Sequence, residues 1–150
     1  MRHNSAMVPI ARTTVCLAAL ALAGCARAPP SDAPIPGLGS GDGEAAWAGV
    51  LPCADCRGID TRLLLQRQGA ARRYRLIEVY LSDEGGARFV EDGEWQQVSD
   101  GLLRLQDEHG RRFFAVVRDG GLQPRDADGD PFLGRDSDVL SPLSQAASAP

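Results

Sequence analysis

Tyr74-Arg75-Leu76-Ile77-Glu78-Val79-Tyr80-Leu81, set between Gln68-Gly69 and Asp83-Glu84-Gly85-Gly86, reads as one β-strand between two turns. A period of two puts Tyr74, Leu76, Glu78 and Tyr80 on one face and Arg75, Ile77, Val79 and Leu81 on the other. The second face is mostly apolar; the first is mixed.

The same grammar runs outward in both directions. Trp47–Leu51, Thr61–Gln68, Ala87–Val90, Glu94–Val98, Leu102–Gln106 and Arg112–Arg118 are the other strand candidates. Between them stand Glu91-Asp92-Gly93, Ser99-Asp100-Gly101, Asp107-Glu108-His109-Gly110 and Asp119-Gly120-Gly121, all read as turns. Leu103 and Leu105 alternate with Arg104 and Gln106, and Phe114 and Val116 with Ala115 and Val117. No stretch has the length and pattern for a helix of more than two turns. The expected fold is all-β: a small antiparallel meander of about seven or eight strands spanning 46–143, closed or nearly closed into a barrel because closure hides strand edges. Ser141 to Pro150 is small and polar and reads as frayed, with 144–150 a disordered tail.

Ahead of the barrel lie two segments of different character. Arg2 and Arg12 precede an apolar run from Thr13 to Ala23, too short to span a bilayer as a helix, and Leu22-Ala23-Gly24-Cys25 closes it. This leader resembles the bacterial lipoprotein signal. The resemblance implies a signal peptide over 1–24, cleavage before Cys25, diacylglycerol on the Cys25 sulfur and acylation of the new amino terminus. Several acyl chains give stable anchoring where a single chain binds only marginally. By resemblance to the lipoprotein sorting pattern, Ala26, where an Asp would direct retention, implies transfer to the outer membrane in a Gram-negative source. Residues 25–45 form the second segment, the lipidated cysteine followed by Ala, Pro, Gly, Ser and Asp, and read as a flexible linker.

Charge narrows the partners. All sixteen basic residues are arginine, two leave with the leader, and the remaining fourteen face twenty acids, a net charge near −6. Nucleic acid is excluded as a partner because phosphate neutralisation needs a basic face. The same balance argues against electrostatic attraction to anionic lipid, so anchoring falls to the acyl chains.

Of four cysteines, Cys16 lies in the leader and Cys25 takes the lipid, which leaves Cys53-Ala54-Asp55-Cys56. In an oxidising envelope so close a pair reads as a disulfide, either structural or a redox-responsive one that is readily reduced. Its loop is short, so the entropic gain falls below the ~3 kcal/mol of a fifteen-residue loop. A thioredoxin-like site would need a helix N-terminus after Cys56, and none is expected. Metal binding is a further reading: thiolates suit Cu(I), with His109 as the one further soft-metal ligand outside the leader. Asp126, Asp128 and Asp130 do not fit an EF-hand, since the glycine stands at position four and Ser137 at position twelve; they read as a turn. No Gly-x-Ser-x-Gly elbow, phosphate loop or distinguished carboxylate pair points to an enzyme.

The string Trp47-Ala48-Gly49-Val50-Leu51-Pro52-Cys53-Ala54-Asp55-Cys56-Arg57-Gly58-Ile59, followed by Thr61 and Leu63-Leu64-Leu65, closely resembles the start of the NlpE-type lipoprotein domain. Looser similarity continues through Tyr74–Tyr80, Phe89–Trp95 and Leu122–Gly129. The resemblance implies a lipocalin-like barrel on an outer-membrane lipid anchor facing the periplasm. It also implies a role in copper tolerance, surface adhesion and activation of an envelope-stress sensor kinase. Longer members add a second, oligonucleotide-fold-like domain; with the chain ending at Pro150, only the first domain's role is expected here. The alternatives are a Cu(I)-binding protein using the Cys-x-x-Cys pair, and a barrel carrier of a small hydrophobic ligand, which would need an open apolar interior.

Overall fold

The computed structural model describes residues 34–83 and 85–144. The leader, Cys25, the first part of the linker and the tail beyond residue 144 lie outside the described residues.

Eight strands follow in order: β1 Gly43–Leu51, β2 Gly58–Gln68, β3 Ala71–Leu81, β4 Ala87–Ser99, β5 Leu102–Gln106, β6 Arg111–Val116, β7 Leu122–Arg125 and β8 Ser141–Leu143. One 3-10 turn, Arg118–Gly120, joins β6 to β7. β1 to β7 pair antiparallel, each with the next, and β8 adds to the free side of β1. The ring is nearly closed by Leu122 and Leu140, whose N–H groups each donate to the other's carbonyl at 2.9 and 2.8 Å. The expected all-β antiparallel barrel is therefore the fold.

Alternation along each strand builds the core. Trp47, Leu63, Leu65, Leu76, Leu103, Leu105, Phe114, Leu122 and Leu140 point inward and are buried together. Each buried Leu contributes on the order of 1.5–3 kcal/mol. Both tryptophans also place their polar ends: Trp47 Nε1 donates to Gly120 O at 2.8 Å and Trp95 Nε1 to Gln66 O at 2.9 Å. Arg67 and Arg72 lie over the Trp95 ring at 5.3 and 5.5 Å from its centroid.

Three sequence expectations change. Ala87–Val90 and Glu94–Val98 are one strand, not two: Glu91-Asp92-Gly93 runs straight through in register with Leu76, Arg75 and Tyr74. Gly93 is there for space, since a Cβ on it would lie 2.4 Å from Gln106 O and 2.7 Å from the Tyr74 ring. Next, the C-terminal part of the expected linker is packed. Ile35 and Leu38 are buried in the core around a Pro36-Gly37 turn with Gly37 at φ +82°, and β1 starts at Gly43 rather than at Trp47. Besides these two apolar side chains, Arg67 Nη1 donates to Gly39 O at 3.0 Å and the Gly69 N–H donates to Asp42 Oδ1 at 2.7 Å, which tie the segment to the barrel. Ser141–Leu143, expected to fray, pairs with Ala48, Trp47 and Ala46 of β1. Pro142 is tolerated because the outer side of this short strand has no ladder to supply. On β3 the mixed face points inward: Tyr74, Leu76 and Glu78 are buried while Ile77, Val79 and Leu81 are half-buried.

Candidate functional site

The Cys53–Cys56 pair lies in the loop 52–57 between β1 and β2. It forms a disulfide with the Cα atoms 5.3 Å apart, inside the usual range. Both residues are half-buried. Neither belongs to the core, and the strands they follow and precede are already fixed by the register from Gly43↔Arg67 to Leu51↔Ile59. Arg57 ties the loop down on its far side: its N–H donates to Leu81 O at 3.0 Å and its Nη2 to Ser82 O at 3.1 Å. Its exposed ion pair with Asp83, at 3.4 Å, adds little in water.

The residues around the pair explain why the motif is written as it is. Gly58 sits at φ +152°, and a Cβ there would fall 2.6 Å from Val50 Cγ1, so the chain can turn into β2 only with glycine. Val50 itself is 62% exposed, an apolar side chain standing beside the disulfide loop. Cys56 Sγ lies 3.2 Å from Gly58 O. In the disulfide that contact carries no proton; a reduced Cys56 thiol could donate across it.

His109 is elsewhere. It occupies the exposed β5–β6 turn, where its N–H and that of Gly110 donate to Asp107 Oδ1, both at 2.8 Å. Burial pushes the Asp107 carboxyl up, but those two N–H groups together with the His109 side chain outweigh it and leave the group below the ordinary carboxylate value. Among the described residues no three His, Cys, Asp or Glu side chains are grouped so as to hold a metal ion. The Asp126 segment is the expected turn: Asp126 Oδ1 accepts from the N–H of Asp128 and of Asp130 at 2.9 Å, with Gly129 at φ +92°.

A second site was not foreseen in the sequence. At the mouth where β3 and β4 overshoot β5, a groove of about 950 Å³ opens. Its floor is a polar network. Arg112 Nη1 and Nη2 donate to Glu78 Oε1 and Oε2 at 3.2 and 3.3 Å, while Arg112 Nε lies 3.1 Å from Glu91 Oε2. Tyr74 OH donates to Glu91 Oε1 at 2.5 Å. Burial and then the Glu91 hydrogen bond push the Tyr74 hydroxyl far above its ordinary value. Burial alone would lower the Arg112 guanidinium, but Glu78 and Glu91 outweigh it and hold it above its ordinary value. Glu78 at the third inward position of β3 was the sequence signal: a carboxylate on a face with Tyr74 and Leu76 must find a cation inside. The groove is open, and its lining mixes six carboxylates with Leu76, Tyr80, Phe89, Val90 and Trp95.

Residues 47–135 match the family described as NlpE N-terminal domain. The chain is 36% identical over 88 residues to Lipoprotein NlpE of Escherichia coli (strain K12), an alignment covering 58% of this chain and 36% of that protein. It thus spans about a third of the length of that relative. No solved structure matches it.

Proposed function

This chain belongs to the NlpE N-terminal domain family, and on that premise we propose that it is an envelope lipoprotein held to the outer membrane through Cys25 and facing the periplasm. Its role is in copper tolerance and envelope-stress sensing, exercised through protein contacts with a sensor kinase or another periplasmic protein. The Cys53–Cys56 disulfide is the responsive element. The leader ending Leu22-Ala23-Gly24-Cys25 and the lipoprotein name of the Escherichia coli relative support the anchoring.

The single observation that carries the redox reading is the position of the disulfide: a half-buried bond in a surface loop, outside the core and outside the strand register. Its reduction by a dithiol is a two-electron exchange. The reductant's thiolate attacks one sulfur and the other leaves as thiolate; the second reductant thiol then resolves the mixed disulfide. Cys53 and Cys56 end as thiols and the reductant as a disulfide. The barrel has no reason to unfold, so the change is confined to loop 52–57 and the exposed Val50 beside it. That is a local surface a partner can read.

Deletion, overproduction and Cys53→Ser/Cys56→Ser strains, assayed for copper survival and for an envelope-stress reporter, test this. The reading expects the serine pair, which cannot form the bond, to shift the reporter at normal protein level and membrane location. Unchanged reporter and copper survival in all three strains would contradict it and leave a structural envelope protein. Stoichiometric Cu(I) uptake abolished by the serine pair would replace it with a copper-binding role.

A further inference from the structure

β4 is thirteen residues long and β5 only five. Pairing between them begins at Glu94↔Gln106, so among the described residues no strand lies beside Ala87–Gly93 on the side away from β3. The reason is local: the Asp107 carboxylate caps the β5–β6 turn with two backbone hydrogen bonds and ends β5 at Gln106. The unpaired stretch is about 23 Å long at ~3.3 Å per residue. Its consecutive residues Phe89, Val90, Glu91, Asp92 and Gly93 all line the groove, inward- and outward-facing alike, which means that the backbone edge itself forms the wall. Phe89 and Val90 are 57% and 47% exposed. A row of unsatisfied N–H and C=O groups beside exposed apolar side chains is a template for an added strand.

Charge decides what kind of strand. Six carboxylates and two guanidiniums line the groove. Arg112 is already committed to Glu78 and Glu91, and Arg104 donates to Gln96, while Glu94 and Glu108 stand exposed at the rim. A second copy paired antiparallel about Val90 would set Arg88 of one edge against Asp92 of the other, so it stands as the rival occupant, and the exposed Glu94 and Glu108 at the rim favour a basic one. We propose that the free edge of β4, Ala87–Gly93, takes an extended basic segment of a partner polypeptide as an added strand, its cations over the acidic groove. This names a docking site for the protein contacts of the reading above and is independent of the state of Cys53–Cys56.

The test uses the full chain in detergent, with the disulfide intact and with it reduced. The probe is a decapeptide alternating lysine and valine, compared with the same peptide N-methylated at alternate amides and with glutamate replacing lysine. The expected result is binding of the lysine peptide with slowed amide exchange at 87–93 and loss of binding on N-methylation. Affinity should fall about tenfold or more, ~1.4 kcal/mol, for the glutamate peptide or for the exposed pair Glu94→Lys/Glu108→Lys. No binding, equal binding by the methylated peptide, or protection elsewhere would overturn the proposal. So would an edge already protected in the free chain, or a dimer formed through it. Failure in both redox states would remove the docking edge without touching the redox reading, which thiol counting decides separately.

Discussion

Gly93 of β4 lies so close to β5 that a Cβ on it would come within 2.4 Å of the Gln106 carbonyl oxygen. It is also the last residue of the open edge of β4, just before the β4–β5 ladder starts at Glu94↔Gln106. Gly93→Ala must displace backbone or the Tyr74 ring and should lower stability by about 2 kcal/mol, the cost of forcing extra volume into a packed site. Gly110→Ala, where a Cβ would meet nothing within 4 Å, is the control and should stay within about 0.5 kcal/mol. Denaturant unfolding of the two variants checks this; equal stabilities would contradict the packing described.

Tyr74 makes the barrel sensitive to alkali. In the unfolded chain its hydroxyl ionises near 10.0, whereas in the fold it stays protonated well above that pH. The fold's advantage is whole below 10.0 and is lost as pH rises through and beyond it. Tyr74→Phe removes this dependence and, by deleting a hydrogen bond to a carboxylate, costs about 1.5 kcal/mol at pH 7. The check is stability against pH from 7 to 11: wild type should fall more steeply than the variant above pH 10.

Asp107 works at the other end of the scale. Its folded-state carboxyl lies below the ordinary 3.8, so its contribution is present above 3.8 and disappears as pH falls through the folded value. Asp107→Ala should have a lower thermal midpoint than wild type at pH 7, with the gap closing below pH 3.8. A gap that persists in acid would show that the side chain acts by packing, not as an ionised cap.

Removing the disulfide should loosen the loop and spare the barrel. Closing so short a loop is worth about 2 kcal/mol by the chain-entropy relation. Reduced protein should therefore keep its β-sheet circular dichroism and its buried tryptophan fluorescence. Amide exchange should quicken in 52–57 and remain slow in β2 and β3. Collapse of the whole barrel on reduction would show that the bond holds the fold and would end the case for a local switch.

Much of this fold is legible from local pattern. Leu102–Gln106 shows its alternation and its flanking turns, and the strand is where they say. Gly69 and Gly101, at φ +56° and +75°, are the turn residues that their neighbours announce. What escapes is what depends on distant partners. Asp92-Gly93 has the local chemistry of a hairpin turn, and only Gln106, thirteen residues on, makes its glycine a close approach instead. Ile35 and Leu38 look stranded in a Pro- and Gly-rich spacer until the mouth of the barrel receives them. The cysteine pair was visible at once because its chemistry is written in four consecutive residues. The Glu78–Arg112–Glu91–Tyr74 network draws on three strands, and only Glu78 among apolar neighbours hinted at it.

The most direct measurement is the thiol state of Cys53 and Cys56 in the source cell. Rapid acid quenching and alkylation of the membrane-bound protein, with and without copper stress, would count free thiols. None should be free in unstressed cells and two should appear under stress, with no bound copper. A pair that stays oxidised throughout would contradict redox sensing, and two free thiols masked by one equivalent of Cu(I) would make the site a metal site.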